Sequence, residues 1–297
     1  METKLLATFH KIVTTGGFSR AAVELGYAQS TISAQIQALE ESLGGAVFER
    51  TRKKVFLTSL GKELLNLSEE MLSLEERIYS LSSGSSLPAG ELNIAAGESV
   101  LVARLGNTLA RFREAYPQVT LRMQNSCCPV MIDWVLRGER DVAVLIMPPL
   151  NHPDLETLVL HEEEMVFIGP PKKDTNLLMK ALRGGKFSEC FIHTEQGCSY
   201  RVFLEHFLRS RGVIPERTME LWSMEGIKKC VQSGLGISFV PLMYVRDALE
   251  EGGLTRLAAP PLQETFVIQG IWRKNGRISR ASQKFLALLE EDARSWQ

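Results

Sequence analysis

The chain has 297 residues, 44% of them hydrophobic, and 34 Lys and Arg against 35 Asp and Glu give a net charge of −1. Such a length and apolar content support two domains, or one large one, with a full core and no need of disulfide or metal staples. The near-zero charge excludes a polycation, so nucleic-acid contact would need local positive charge; residues 1–62 carry a modest excess, eight Lys and Arg against five Asp and Glu.

The five cysteines show no CxxC spacing and no repeating framework, which fits reduced thiols in the cytoplasm. The opening "METKLLATFHK" has neither a signal-like apolar stretch nor a small-residue cleavage site, and no apolar run is long enough to span a bilayer. A soluble, cytoplasmic protein is expected, with no membrane partner.

In chain order, Leu5, Leu6, Phe9, Ile12 and Val13 form an apolar helical stripe ended by "TGG" at 15–17. "FSRAAVELG" follows, with Ser19 as the expected N-cap, Phe18 and Val23 as a hydrophobic staple, Ala22 and Leu25 inward, and Gly26 closing the helix. In "YAQSTISAQIQALEESLG" at 27–44, Ile32, Ile36, Leu39 and Leu43 fall on one stripe. Opposite lie Ser30, Ser33, Ala34 and Gln37. That face is neutral and rich in hydrogen-bonding groups, and it can approach base edges in a major groove without a desolvated charge in the way. An ordinary weakly charged surface helix is the alternative. Two short helices joined by a Gly-containing turn, with a third behind, make a helix-turn-helix.

"VFERTRKKVFLT" at 47–58 alternates in part and gathers Arg50, Arg52, Lys53 and Lys54, which suits a wing lying on phosphate. A solvated charge run is the alternative reading. Next, Leu60, Leu64, Leu67, Met71, Leu74, Ile78 and Leu81 alternate steps of four and three behind a Thr58 cap. So narrow a seam suits a second copy of the chain better than a globular core. A dimer would carry two recognition helices, so the expected target is double-stranded DNA with a two-fold symmetric site.

The run "FSRAAVELGYAQSTISAQIQALEESLGGAVFERTRKKVFLTSLGKELL" resembles the N-terminal domain of LysR-type transcriptional regulators in spacing and residue type. The resemblance implies DNA contacts at Gln29, Ser30, Thr31 and Ser33 and wing contacts at Arg50 and Arg52. Ser19, Arg20, Gln37 and Lys53 complete the expected DNA-binding set. Two departures stand out: Ala28 replaces the usual Ser or Thr cap, and Ala34 replaces a frequent Arg, pointing to a different or weaker half-site reading.

"SSGSSLPAG" at 82–90 reads as a flexible hinge. Beyond it, strands are expected at "ELNIAA", "VTLRMQ", "DVAVLI", "MVFIG", "CFIHT", "GISFV" and "TFVIQGIW". Helices are expected near 100–115, 129–138, 199–211, 223–233 and 279–294. This alternation predicts an α/β fold with mainly parallel pairing. "FREAYPQVTL", "LRGERDVAVL" and "EGIKKCVQSGLGISFVP" are similar to the effector-binding region of the same family, which resembles type II periplasmic binding proteins. The expected organisation is a winged helix-turn-helix at 1–58, all-α with a small β wing; a long linker and dimerisation helix at 59–84; a hinge at 85–90; and a two-lobed α/β effector domain at 91–297. Lobe I takes about 91–163 and 267–297, lobe II about 164–266, and the C-terminal helix returns to lobe I.

A small ligand belongs in the cleft between such lobes. Ser99 in "AAGES", Ser126 in "QNSCCP" ahead of Pro129, and Cys198 with Ser199 in "TEQGCSYR" all precede helices. Helix starts with nearby hydroxyls suit a carboxylate or similar small anion; Ser as an ordinary helix cap is the alternative. The family resemblance implies effector contacts at Ser99, Val100, Ser126, Thr194, Cys198 and Phe239. It also implies a homotetramer built as a dimer of dimers, and RNA polymerase stands as a further expected partner.

The leading reading is a sequence-specific DNA-binding regulator that senses a small anionic metabolite through an oligomeric rearrangement. A thiol switch is the alternative, because Cys198 stands where peroxide-sensing members of the family keep a reactive cysteine at a helix start. Phe207 occupies the position expected of its resolving partner. An enzyme is not expected: His10, His152, His161, His193 and His206 form no HExxH, and neither a GxSxG elbow nor a Walker loop occurs. "CFIHTEQGC" spaces Cys190, His193 and Cys198 loosely like metal ligands, but Cys190 in an apolar strand reads as structural. No cofactor or metal is expected.

Overall fold

The computed structural model describes residues 2–49, 55–65, 67, 68, 71, 72, 87–183, 187, 189–274 and 278–296. The chain divides into two compact units, Met1–Pro88 with Arg273–Ser279, and Ala89–Trp272 with Arg280–Gln297.

The first unit begins with three helices, α1 (Thr3–Thr15), α2 (Phe18–Leu25) and α3 (Gln29–Leu43). Each ends on a glycine in the left-handed region, Gly16, Gly26 and Gly44. The next N–H then reaches back to a carbonyl of the last turn, as from Tyr27 to Ala22 at 2.9 Å. The stripes read from the sequence meet in one core of Leu6, Phe9, Ile12, Ala21, Ala22, Ile32, Ile36 and Leu39. Burying each of its large side chains contributes about 1.5–3 kcal/mol.

The start of α2 departs from expectation. Gly17, not Ser19, is its N-cap, without a side-chain cap. Val23 is 82% exposed, so no staple forms with Phe18. Phe18 instead packs edge-on against Phe48, with centroids 5.4 Å apart.

The two legs of the wing pair through an antiparallel bridge between Phe48 and Leu57. A fourth helix, α4, is helical over 59–65, with Thr58 Oγ1 accepting from the Gly61 N–H at 3.0 Å. The heptad seam divides. Leu60 and Leu64 pack into the core of this unit, whereas Leu67 and Met71 are exposed. The first part of the seam thus closes the unit's own core rather than waiting for a partner. Arg50, Arg52, Lys53, Lys54, Leu74, Ile78, Leu81 and hinge positions 82–86 lie outside the described residues.

The second unit is α/β and holds two groups of strands. One sheet has the order β2-β1-β3-β10-β4, built from β1 (Gly90–Ala96), β2 (Val119–Gln124), β3 (Val142–Met147), β4 (Leu155–Glu163) and β10 (Phe266–Arg273). β3, "VAVLIM", is almost wholly buried, as a strand covered on both faces should be. The other group contains β8-β5-β9, from β5 (Met165–Gly169), β8 (Ser238–Pro241) and β9 (Thr255–Leu257), and the pair β6 (Cys190–His193) and β7 (Arg217–Glu220). A bridge between Phe191 and Ile237 connects the two sets.

Pairing is mixed rather than mainly parallel. β1 runs parallel to β2 and β3, and β6 to β7, but β10 is antiparallel to β3, and β5 is antiparallel to β8 and β9. The turnabout follows from β4 and β10 carrying the chain between the two groups. The sequence reading also missed β4, β7, β9 and two helices, α8 (Leu177–Leu182) and α11 (Leu242–Glu250).

Helix α5 (Glu98–Val100) continues through a π-helical turn, Leu101–Leu105, into α6 (Gly106–Ala115). The remaining helices are α7 (Cys128–Leu136), α9 (Ser199–Arg209), α10 (Met224–Gln232) and α12 (Arg280–Ala293). α12 is fixed to α6 by Asp292, which accepts from Thr108 Oγ1 at 2.6 Å and from Arg111.

Candidate DNA-binding face and ligand cleft

On α3, Ile32, Ile36 and Leu39 are buried, while Gln29, Ser30, Thr31, Ser33, Ala34 and Gln37 are all exposed. The outer face carries no charge before Glu40 and Glu41. Ala28 is the N-cap, extended and without a side-chain hydrogen bond, so the first N–H groups of the helix have no side-chain acceptor of its own. Gln37 donates to Glu41 at 3.0 Å along the same face. On α2, Ser19 and Arg20 are exposed, and the Arg20 guanidinium folds back to donate to the Gly16 carbonyl at 3.1 Å. The expected wing contacts Arg50, Arg52 and Lys53 lie outside the described residues.

In the second unit, a cavity of about 250 Å³ opens between the two strand groups, and Ser99, Ser126, Thr194 and Cys198 line it. Four of the seven residues expected at the effector thus converge from α5, the loop before α7, the end of β6 and the start of α9. The other three do not reach the cavity. Val100 is wholly buried. Ser199 lends its hydroxyl to the Ile146 carbonyl at 2.6 Å. Phe239 stands in an aromatic cluster, 4.7 Å from Phe167 and 5.7 Å from Phe203.

None of α5, α7 and α9 is capped by a side chain; their N-caps are Gly97, Cys127 and Cys198. Ser99 and Ser126 therefore do not act as helix caps. Among the described residues, Thr194 Oγ1 is buried with no oxygen or nitrogen partner, and its one polar neighbour is the Cys198 thiol.

The cleft also contains groups that the sequence reading passed over. Glu98 and Glu195 line it, together with Tyr200, Trp222 and Met224. Both glutamates sit inside "AAGES" and "TEQGC", the segments whose hydroxyls and thiol carry the expected ligand contacts. Glu98 spans the two strand groups: its carboxylate accepts from the Met224 N–H at 3.2 and 3.3 Å, at the start of α10. Burial raises the Glu195 carboxyl above its ordinary range, and the nearby Glu98 and Glu220 add to the effect.

Three of the five cysteines, Cys127, Cys128 and Cys198, border the same cavity. Burial pushes the Cys128 thiol up to about 11 and the Cys198 thiol up to about 12, the reverse of the lowering expected at a helix start. Desolvation of a thiolate here outweighs the partial charge of the helix end. Among the described residues, no group of three or more His, Cys, Asp and Glu is placed to hold a metal ion.

A wider groove of about 450 Å³ runs along residues 162–167 and 256–262 and contains none of the expected effector residues. Beside it, Glu163 accepts from the Met243 N–H at 2.7 Å and faces Arg104 at 3.8 Å, bracing the crossover from β4 to β5.

A helix-turn-helix with a β wing, followed by an α/β unit with a cleft between two strand groups, defines a ligand-responsive DNA-binding regulator. Two family models divide the chain accordingly: "Bacterial regulatory helix-turn-helix protein, lysR family" over residues 3–62 and "LysR substrate binding domain" over 85–294. The chain belongs to the LysR family of transcriptional regulators. It is 31% identical over 293 residues to the uncharacterized HTH-type transcriptional regulator YfiE of Escherichia coli (strain K12), covering 98% of each chain. It is 30% identical to the HTH-type transcriptional regulator GltR of Bacillus subtilis (strain 168), over 98% of this chain and 97% of that one. The crystal structure of ArgP from Mycobacterium tuberculosis shares the fold, with a TM-score of 0.74 at 19% identity over 99% of this chain and 98% of that one. The chain is thus a regulator with an effector-binding domain and not an enzyme. Among the described residues, no helix is long and apolar enough to cross a membrane.

Proposed function

We propose that this regulator reads a two-fold symmetric duplex site in a sequence-specific manner, through Gln29, Ser30, Thr31 and Ser33 of α3. The observation that carries this reading is the uncharged, fully exposed outer face of a helix whose opposite stripe is locked into a core. Neutral donors and acceptors can meet base edges directly, while Arg20 and the basic wing supply salt-dependent phosphate contacts. Two such helices come from a dimer, to which the exposed Leu67 and Met71 contribute apolar surface. The active species is a cytoplasmic homotetramer that communicates with RNA polymerase.

The cleft at Ser99, Ser126, Thr194 and Cys198 receives a small metabolite. The uncapped starts of α7 and α9 favour an anionic group, such as a carboxylate, at one end of it. Glu98 links the two strand groups across this cleft, so a ligand that alters their separation acts on that tie. Effector binding shifts the oligomer between arrangements only by its difference in affinity for them. A genome-wide map of bound sites, followed by footprinting of purified protein on the recovered duplexes, tests the reading. Protection of two symmetric half-sites is expected; no preference over random duplex at moderate salt overturns it.

A further inference from the structure

The charge in the cleft is of one sign. Glu98 and Glu195 both line it, and no described lining residue is a Lys, Arg or His. Arg201, whose charge acts on Glu195 from outside the cavity, and Lys228 are both paired with other groups. Arg201 gives its N–H groups to Glu205 at 2.8 Å, Glu220 at 2.6 Å and the Thr194 carbonyl at 2.7 Å. Lys228 pairs with Glu225 at 2.6 Å.

Glu98 has the Met224 N–H, but no cation lines the cavity beside the two carboxylates, and an added positive group offsets the cost of holding them in a partly dry site. Thr194 is a separate sign of a missing polar partner, since its Oγ1 is buried at the same cavity with only the Cys198 thiol beside it and no oxygen or nitrogen partner. The rim adds Trp222, a ring well suited to lie against an organic cation. The donor set argues against a metal ion, because no cluster of described ligands could hold one. At about 250 Å³ the cavity is small, below the range of about 300–1,000 Å³ usual for drug-sized ligands.

We propose that the ligand is a small amino-carboxylate zwitterion, its ammonium set between Glu98 and Glu195 and its carboxylate turned to the N–H groups at the start of α7. This rests on the reading of the cleft as the effector site and deepens it. An anion alone answers the helix start but leaves Glu98 and Glu195 lining one cavity with no cation. A zwitterion answers both ends of the cavity.

The test uses full-length protein, thermal melts and calorimetric titration. The probes are the standard amino acids and their 2-hydroxy-acid analogues, which keep the carboxylate and exchange the amine for a hydroxyl. At least one amino acid raises the melting temperature, and its hydroxy analogue binds about tenfold more weakly or worse. Glu195→Gln lowers affinity for that amino acid by a similar factor and leaves the hydroxy analogue's affinity unchanged or improved. The melting temperature of unliganded Glu195→Gln is kept or raised, which separates lost recognition from lost folding. Hydroxy acids binding as tightly as amino acids, full affinity in Glu195→Gln, or no amino acid binding at millimolar concentration each overturns the proposal. Duplex binding by the same wild-type preparation is measured in parallel. Its absence sinks the regulator reading, whereas its presence with a failed ligand series sinks only the ligand class.

Discussion

Glu40 Oε1 accepts a hydrogen bond from the backbone N–H of Val47 at 2.8 Å, and the Phe48 N–H approaches the same oxygen at 3.4 Å. The last turn of α3 therefore holds the first leg of the wing. Both donor residues are buried, so removing the acceptor strands their N–H groups away from water. Glu40→Ala is expected to cost about 1–3 kcal/mol in urea unfolding. Glu40→Gln, which keeps an acceptor, loses less. Glu41→Ala, whose partner is the exposed Gln37, stays within about 0.5 kcal/mol of wild type. Equal losses at 40 and 41 would contradict this account of the wing.

A second contact sets the same leg against α4. A Cβ on Gly61 would lie 2.1 Å from the Val47 carbonyl oxygen, which is backbone and cannot rotate away. Gly61→Ala is expected to destabilise the winged unit by about 1–3 kcal/mol or more through overpacking, read as a lower unfolding midpoint. An unchanged midpoint would mean that α4 and the wing are not in contact.

On the outer face of α3, Gln29→Glu and Ser33→Glu are expected to weaken specific duplex binding by about 1–3 kcal/mol each. Both side chains are exposed, so melting temperature should hardly move. Ile36→Ala, on the buried stripe, does the opposite first, lowering stability by about 2–5 kcal/mol. Mobility shifts and melts on the same three variants separate the two faces.

The cleft should impose a pH signature on stability. Burial, with Glu98 and Glu220 nearby, holds the Glu195 carboxyl above its ordinary 4.5. A group raised in the folded state gives its full stabilisation below the unfolded pKa and loses it as pH rises through the folded one. Ionised Glu195 therefore weighs against the native state above the ordinary glutamate range. Melts of wild type and Glu195→Gln should converge near about pH 4 and diverge toward neutrality, the variant being the more stable. A gap that widens on acidification would reverse the assignment.

The thiols bear on the alternative of redox sensing. With Cys128 at about 11 and Cys198 at about 12, neither is a thiolate at neutral pH. Alkylation of the native protein should label the partly exposed Cys127, Cys190 and Cys230 before these two. Mild peroxide should leave duplex binding intact. Rapid modification of Cys198, with altered DNA binding, would restore the thiol switch.

The sequence by itself determined whatever rests on local periodicity. The Ile32–Ile36–Leu39 stripe fixed which face of α3 is buried, and glycines at 16, 26 and 44 fixed where the first three helices stop, because both depend only on residues a turn apart. The long apolar strands were readable for the same reason, whereas the family was readable from the resemblance of the run that begins at Phe18. Short or half-exposed elements such as β7 and β9 carry too few residues to show a period, so they were missed. Ser19 is not the cap because α2 already begins at Phe18, whose ring packs on Phe48, a partner thirty residues away. Leu60 and Leu64 belong to the winged core for a like reason: narrow seams look alike until a neighbouring surface claims them. In the cleft, "AAGES" and "TEQGC" were legible as helix starts, but not the fact that their glutamates share one cavity. Only the tertiary structure brings Glu98 and Glu195 together from positions nearly a hundred residues apart, and only there does burial push up Cys198 and Glu195, because desolvation is a property of surroundings that no stretch of sequence contains.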